Sequence, residues 1–413
     1  MNKKLLVAII CGVLMYIGTP VFAAISDQDF ASLKADFVEL MQRVNALEAE
    51  NAELRKAPVV AAATSPAQNP ASSRTDNIRW KGDFRYRYEG INVEDEETRN
   101  RNRIRARYTL IADLPQNVEV GIGMATGGDD PVSTNQTLGN VGSTKDVHLN
   151  LAYFNWAAVE NINVIGGKFK NIWVRPDNNE LLWDSDYNPE GFAFIFDNGR
   201  FFVNGGLNWL ESDSKTDNSR FAWGLQSGIT GNLGDNTFKA GVAYFEIPVQ
   251  GREVFFGDED AFFGNSFTCV DPVNLLGCTY DHNFEDVELF AELRTSLGDM
   301  PLTLFADYAQ NLDTNHFNTA WAAGARIGKA SDSGTWQAAY RYQDIEADSL
   351  FGLTVGSDFA GGGTDSKGHI FSGSYAINKS WKLALTYFVT ERNGDLGATE
   401  DYDRIMIDTK FKF

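Results

Sequence analysis

The chain has 413 residues with 36 basic against 56 acidic side chains, a formal net charge of −20. An acidic surface of that size repels nucleic acid and argues against it as a partner. The mean hydropathy of −0.28 leaves no room for a bundle of spanning helices, each of which needs about 20 consecutive apolar residues. A membrane strand needs only about 10 residues with alternate ones apolar, so a barrel is compatible with this composition. Aromatics make up 13% of the chain, with 38 glycines, which suits many short strands.

Residues 1–23 read as a secretory signal peptide. Lys3 and Lys4 precede an apolar stretch, and Val21-Phe22-Ala23 offers a small-residue cleavage site. Cys11 follows Ile10 rather than a small residue, which argues against lipoprotein cleavage there. Removing the segment leaves 34 basic against 56 acidic residues, or 34 − 56 = −22. That charge does not exclude an outer membrane, where divalent cations can bridge acidic loops to lipopolysaccharide.

Residues 24–56 are expected to form a periplasmic coiled coil. Phe30, Phe37, Val44 and Asn51 occupy one heptad position, and Leu33, Leu40, Leu47 and Leu54 the other. A lone amphipathic helix packing on the rest of the molecule is the alternative. Helical throughout, the segment would reach about 45 Å. Residues 57–77, rich in Ala, Pro, Ser and Thr, are a linker.

From 78 to 413 the sequence divides into sixteen alternating segments, predicting a sixteen-stranded antiparallel transmembrane β-barrel. Ile78, Trp80, Phe84, Tyr86 and Tyr88 oppose Arg79, Lys81, Asp83, Arg85 and Arg87. The last segment sets Ile405, Ile407, Phe411 and Phe413 against Arg404, Asp408, Lys410 and Lys412. Apolar residues on one face and charges on the other mark a strand between lipid and water. Short turns such as Leu114-Pro115-Gln116 and Gly298-Asp299-Met300 alternate with long connections at 127–145, 171–190, 248–283 and 346–367. A soluble sandwich has no reason to alternate loop length this way.

The whole of residues 24–413 resembles the putative porin family and the sixteen-stranded general diffusion porins of Gram-negative outer membranes. The residues carrying the likeness are the Thr409-Lys410-Phe411-Lys412-Phe413 ending, the strand rhythm and a long third loop. The resemblance implies a passive, water-filled channel for small hydrophilic solutes and ions, a homotrimer, and recognition of Phe413 by the outer-membrane assembly machinery. The coiled coil adds to that plan. A second reading makes the protein an outer-membrane anchor whose coiled coil reaches peptidoglycan, the pore being incidental.

Two constellations are expected to carry function. Arg79, Arg85, Arg87, Arg103, Arg105 and Arg107 would form a basic ladder lining the pore, because arginines near the bilayer midplane cost a few kcal/mol each on the lipid face. Structural pairing with Asp83, Glu89 or Glu119 is the competing reading. Asp177, Glu180, Asp184, Asp186 and Glu190, with Trp173, Leu181, Leu182 and Trp183, would form an acidic constriction loop facing the arginines. Display of this loop to solvent is the alternative. Cys269 and Cys278 are expected to form a loop disulfide. Neither a metal site nor a cofactor is expected. Four histidines (148, 282, 316 and 369) with no nucleophile motif make an enzyme a poor reading.

Overall fold

The computed structural model describes residues 77–212 and 220–413. The expected signal peptide, the coiled coil and all but the last residue of the linker lie outside the described residues.

Sixteen strands form the wall. They are β1 Ile78–Val93, β2 Arg99–Leu114, β3 Val118–Thr126, β4 Val147–Val159, β5 Ile162–Lys168, β6 Glu190–Asp197, β7 Phe201–Glu211 and β8 Arg220–Leu233. The circuit continues with β9 Asn236–Ile247, β10 Phe284–Leu297, β11 Met300–Asn311, β12 Thr319–Gly328, β13 Trp336–Ile345, β14 Ser366–Asn378, β15 Trp381–Arg392 and β16 Glu400–Lys412. Each wall strand pairs antiparallel with its neighbours, and β16 returns to β1 with Phe84 opposite Phe411. Closure leaves no unpaired strand edge, which a sheet in hydrocarbon requires. The residues Gln136–Thr137 add a short extra pairing to β2. A separate hairpin, Phe267–Asp271 with Leu276–Tyr280, lies within the 248–283 connection.

The alternation explains the wall. Trp80, Tyr86, Tyr88, Phe192, Trp223, Leu289, Trp321, Tyr340, Leu385 and Ile407 are exposed outward, while the intervening residues point to the lumen. Where the start of β15 pairs with the end of β16, Trp381 stacks with Phe411 at 5.5 Å.

β5 and β6 are the shortest wall strands, with 7 and 8 residues. They stop early because the chain leaves the wall at Lys168 and rejoins it at Glu190. Glycines mark both points. Gly167 has φ +111°, and a Cβ there would meet the Ala152 carbonyl oxygen at 2.2 Å. Gly191 has φ +156°, and a Cβ would lie 1.9 Å from the Leu207 carbonyl oxygen. Only glycine allows that close backbone approach.

The lumen contains its own apolar core. Trp173, Leu181, Leu182 and Trp183 from residues 169–189 pack with Phe262 and Tyr280 from 248–283 and with Leu350, Phe351, Leu353 and Val355 from 346–365. Wall residues Phe245, Phe284, Phe305 and Ile370 complete the cluster. Trp173 and Trp183 both meet Phe245 edge-on, at 4.9 and 5.1 Å. Each buried side chain of this size removes about 1.5–3 kcal/mol worth of apolar surface from water. Three of the long connections therefore turn into the barrel, including 346–365, whose inward fold the sequence reading did not anticipate.

Candidate functional site: the charged lumen

The strands β16, β1 and β2 are adjacent, and their register sets lumen-facing charges in cross-strand rows. Lys410, Arg85 and Arg105 stand in one row; Asp408, Arg87 and Arg103 in the next. Lys412, Asp83 and Arg107 form the row on the other side, and Met406, Glu89 and Arg101 the row beyond Arg87. Residues directly opposite on neighbouring strands sit about 5 Å apart, so unpaired like charges would repel strongly in a confined lumen.

Carboxylates interleave the arginines. Arg87 bonds Asp408 at 2.7 Å and Asp358 of the 346–365 connection at 2.9 Å. Arg404 bonds Asp358 at 2.8 Å and also pairs with Glu89. Glu89 has no exposed surface, and it pairs as well with Arg101 and, at 3.8 Å, with Arg103. Arg105 and Arg107 hold Asp83 at 2.9 and 2.8 Å. Both reach Asp186, at 3.4 and 2.6 Å. The pairing partners include the Asp83 and Glu89 weighed from sequence, so the ladder is an ion-pair lattice as well as a row of cations. Arg79 stands apart. It is half exposed at the N-terminal end of β1, paired with Asp113 at 3.1 Å and with Glu119.

The connection 169–189 spans the lumen. On one side it meets β2 through Asp186. On the other it meets β8, β10, β11 and β12: the Val174 N–H donates to Gln226 at 2.7 Å and the Asp177 N–H to Glu292 at 2.6 Å. The Asn179 amide donates to Asp307 at 2.9 Å, and Arg326 donates to Asp177 at 2.7 Å. β2 and β11 are 11 − 2 = 9 strands apart in a ring of sixteen, so these anchors lie on opposite walls. Asp184 ties this loop to 346–365, accepting from the Ser357 N–H at 2.8 Å. The Glu180 carbonyl accepts from the Gly356 N–H at 3.0 Å. Glu190 does not join the group. It sits on the outward face of β6 with Phe192 and Phe194, paired to Lys168 at 2.9 Å; the period-two parity of β6 turns it away from the arginines.

The loop carboxyls have divergent protonation. Burial and the neighbouring Glu180 push Asp184 up to about 8, against two backbone N–H donors. Burial also pushes Asp186 upward, but Arg105, Arg107 and Arg85 outweigh it and hold that carboxyl below the usual range. Burial raises Asp177 in spite of Arg326. Asp358 is held well below the usual range because Arg87 and Arg404 outweigh its desolvation. Lys170, on the same loop, is lowered to about 8, first by burial and then by Arg107.

A second charged wall went unread in the sequence. Asp286, Glu288 and Glu292 on β10 and Asp307 on β11 face the lumen and are buried. The Gln226 amide donates to Glu288 at 3.1 Å. Their alternation with Val287, Leu289 and Ala291 was the available signal.

Two cavities flank the loops. The larger, about 800 Å³, carries eight basic against four acidic side chains, Arg85, Arg341, Lys382 and Lys410 among them. The smaller, about 390 Å³, lies among Arg99, Arg101, Arg103, Arg404, Glu96 and Asp130. Asp358 borders both.

Cys269 and Cys278 are bonded to each other across the loop hairpin. His282 lies 3.8 Å from Asp313 and 4.0 Å from Asp348, beyond hydrogen-bond reach. Among the described residues no cluster of three metal-ligating side chains occurs.

Comparison with known proteins agrees with this architecture. The family model described as Putative porin matches residues 91–254 and 278–413. OprB of Pseudomonas putida superposes with a TM-score of 0.54 at 11% identity, covering 83% of this chain and 96% of its own. OmpF of Salmonella typhi gives 0.50 at 12% identity, covering 82% and 99%. No curated relative matches the chain.

Proposed function

The chain belongs to the putative porin family of outer-membrane barrels, and on that premise we propose that it is a channel for passive diffusion of small hydrophilic solutes and ions, with a charged constriction at mid-lumen. The observation that carries this reading is the loop 169–189, strung from Asp186 on the arginine wall to Asn179 on the opposite one, between two charged cavities. Pore selectivity arises from width and lining charge rather than covalent chemistry. Asp186, Asp184, Glu180 and Asp177 of the loop, and Asp358 of 346–365, would supply the acidic side of the constriction. Arg85, Arg87, Arg103, Arg105 and Arg107 would supply the basic side. Oriented water between them resists displacement by apolar solutes. A homotrimer, supported by the heptads of 24–56, is part of this proposal.

Single-channel recording of the purified protein in planar bilayers tests it. Discrete conductance steps are expected, with a reversal potential under a salt gradient that reports ion preference. Absence of any conductance would sink the channel reading and favour the anchor reading.

A further inference from the structure

Among the lumen-facing rows of β16, β1 and β2, the row Lys410–Arg85–Arg105 differs from its neighbours: it is the one described here with three cations and no acid. Arg105 is compensated by Asp83 and Asp186, and Lys410 by Asp408 at 3.1 Å. Arg85 has no carboxylate in direct contact, and Asp408, Asp358 and Asp186 act on it only through space. The residue is 7% exposed, its Nε has no partner, and one amino group donates to the side-chain amide oxygen of Asn135. Among the described residues no carboxylate forms an ion pair with it. Arg85 also borders the 800 Å³ cavity, as does Arg341, whose Nε likewise lacks a partner.

Burying a guanidinium without a directly paired carboxylate is expensive, and the cavity that it borders is the place from which a contacting anion could come. We infer that Arg85, flanked by Lys410, is the centre of an anion subsite for small oxyanions, carboxylate or phosphate, in the channel. A planar guanidinium presents two parallel N–H donors that match two oxygens of such a group, whereas an ammonium supplies a point charge. A spherical chloride offers one acceptor centre to both N–H groups and matches the fork less well than two oxygens do. The row geometry places Lys410 beside Arg85 to share the charge of the bound anion. Three cations in one row set a local preference for anions in a chain whose net charge is −20. This inference deepens the channel reading and takes its solute class from one side chain.

Isothermal titration of the folded full-length protein in detergent, in a chloride background, reads the subsite without requiring conduction. Inorganic phosphate and succinate are the two probes. Saturable heat with either supports the subsite, and the probe that binds more tightly assigns the source. Arg85→Gln is expected to weaken binding about tenfold or more, and Arg85→Lys to fall between. Arg200→Gln, which removes the same charge from a turn outside the lumen, leaves binding unchanged. If Arg85→Gln does not fold, Arg85→Lys, which keeps the charge, carries the comparison. Heat saturating with neither probe, or binding unaltered in the Arg85 variants, overturns the inference. Binding without conductance would leave the subsite standing and remove the channel reading; conductance without binding would do the reverse.

Discussion

The two charged walls of the lumen are built by the same alternation and are used differently. On β16, β1 and β2 cations outnumber acids, and Arg85, Arg87, Arg103 and Lys410 border the cavities. On β10 and β11 the acids Asp286, Glu288, Glu292 and Asp307 border neither cavity. The loop 169–189 accounts for the difference. It lies over the acidic wall, donating backbone and amide N–H groups to Glu292 and Asp307, and it touches the basic wall through Asp186. A strongly acidic chain thereby lines its larger cavity with eight basic against four acidic side chains. Total charge says little about what a pore admits when a loop decides which wall is covered.

The sharpest way to break this comparison is to neutralise one acid on each wall. Glu89→Gln leaves Arg404, Arg101 and Arg103 without their shared carboxylate. Removing one partner of a buried pair costs about 3–5 kcal/mol, so urea unfolding of the membrane-reconstituted barrel should shift by that order. Glu288→Gln orphans no cation: its side chain meets Gln226 and neighbouring acids. That variant should be neutral or more stable. Equal losses on both walls would show that the walls do not differ in the way their partners suggest.

Next in size is the loop's apolar bed. Leu181 has no exposed surface, and Leu181→Ala should cost about 2–5 kcal/mol. Because that bed is separate from the barrel ladder, the cost should fall on loop attachment. Single-channel conductance should rise, and the reversal potential should move toward cations as Glu292 and Asp307 are uncovered. An unchanged reversal potential would mean that the loop does not mask the acidic wall.

How far the sequence showed this is best seen in individual residues. Strand number and the outward face followed from period-two alternation, because every wall strand meets lipid on one side. The same parity placed Arg85, Arg87, Arg103, Arg105 and Arg107 inside, and it could have excluded Glu190, which shares a face with Phe192 and Phe194. Asp358 was illegible. It lies in a connection, where no period applies, and its partners Arg87 and Arg404 are distant in sequence. The run Leu350-Phe351-Gly352-Leu353-Thr354-Val355 was the hint, an apolar stretch where a solvent-exposed loop would be polar. Asp186 was recognised as a loop acid, but its choice of Arg105 and Arg107 depends on how the loop crosses the barrel.

A smaller effect separates two neighbouring loop acids, Asp184 and Asp186. Asp184 has its proton affinity raised by burial to about 8, above its value in the unfolded chain. The folded state therefore binds the proton more tightly, so its contribution favours the attached loop at low pH and is lost as pH rises through about 8. Asp186 is lowered and contributes in the opposite sense: its stabilisation is present above the ordinary Asp range and is lost on acidification through its depressed value. Amide hydrogen exchange of residues 169–189, expressed relative to the intrinsic base-catalysed rate at each pH, should quicken between neutral pH and pH above 8. Asp184→Asn should flatten that rise while leaving the acid-side behaviour intact. A rise that persists in Asp184→Asn would assign it to another group.

The smallest expected effect belongs to the arginine that shares the ladder's parity without its surroundings. Arg79 faces inward but sits at the barrel end where β1 begins, half exposed, with Asp113 and Glu119 beside it. Water and salt screen such pairs, and exposed ion pairs contribute little to stability. Arg79→Gln should leave urea unfolding unresolved from the parent and should move the reversal potential less than Arg103→Gln. Both changes remove one positive charge from the same face of adjacent strands. A larger shift for Arg79 would put the selective region at the mouth where β1 begins and detach selectivity from the loop that crosses the barrel. A larger shift for Arg103 would tie selectivity to the depth at which 169–189 and 346–365 meet the basic wall.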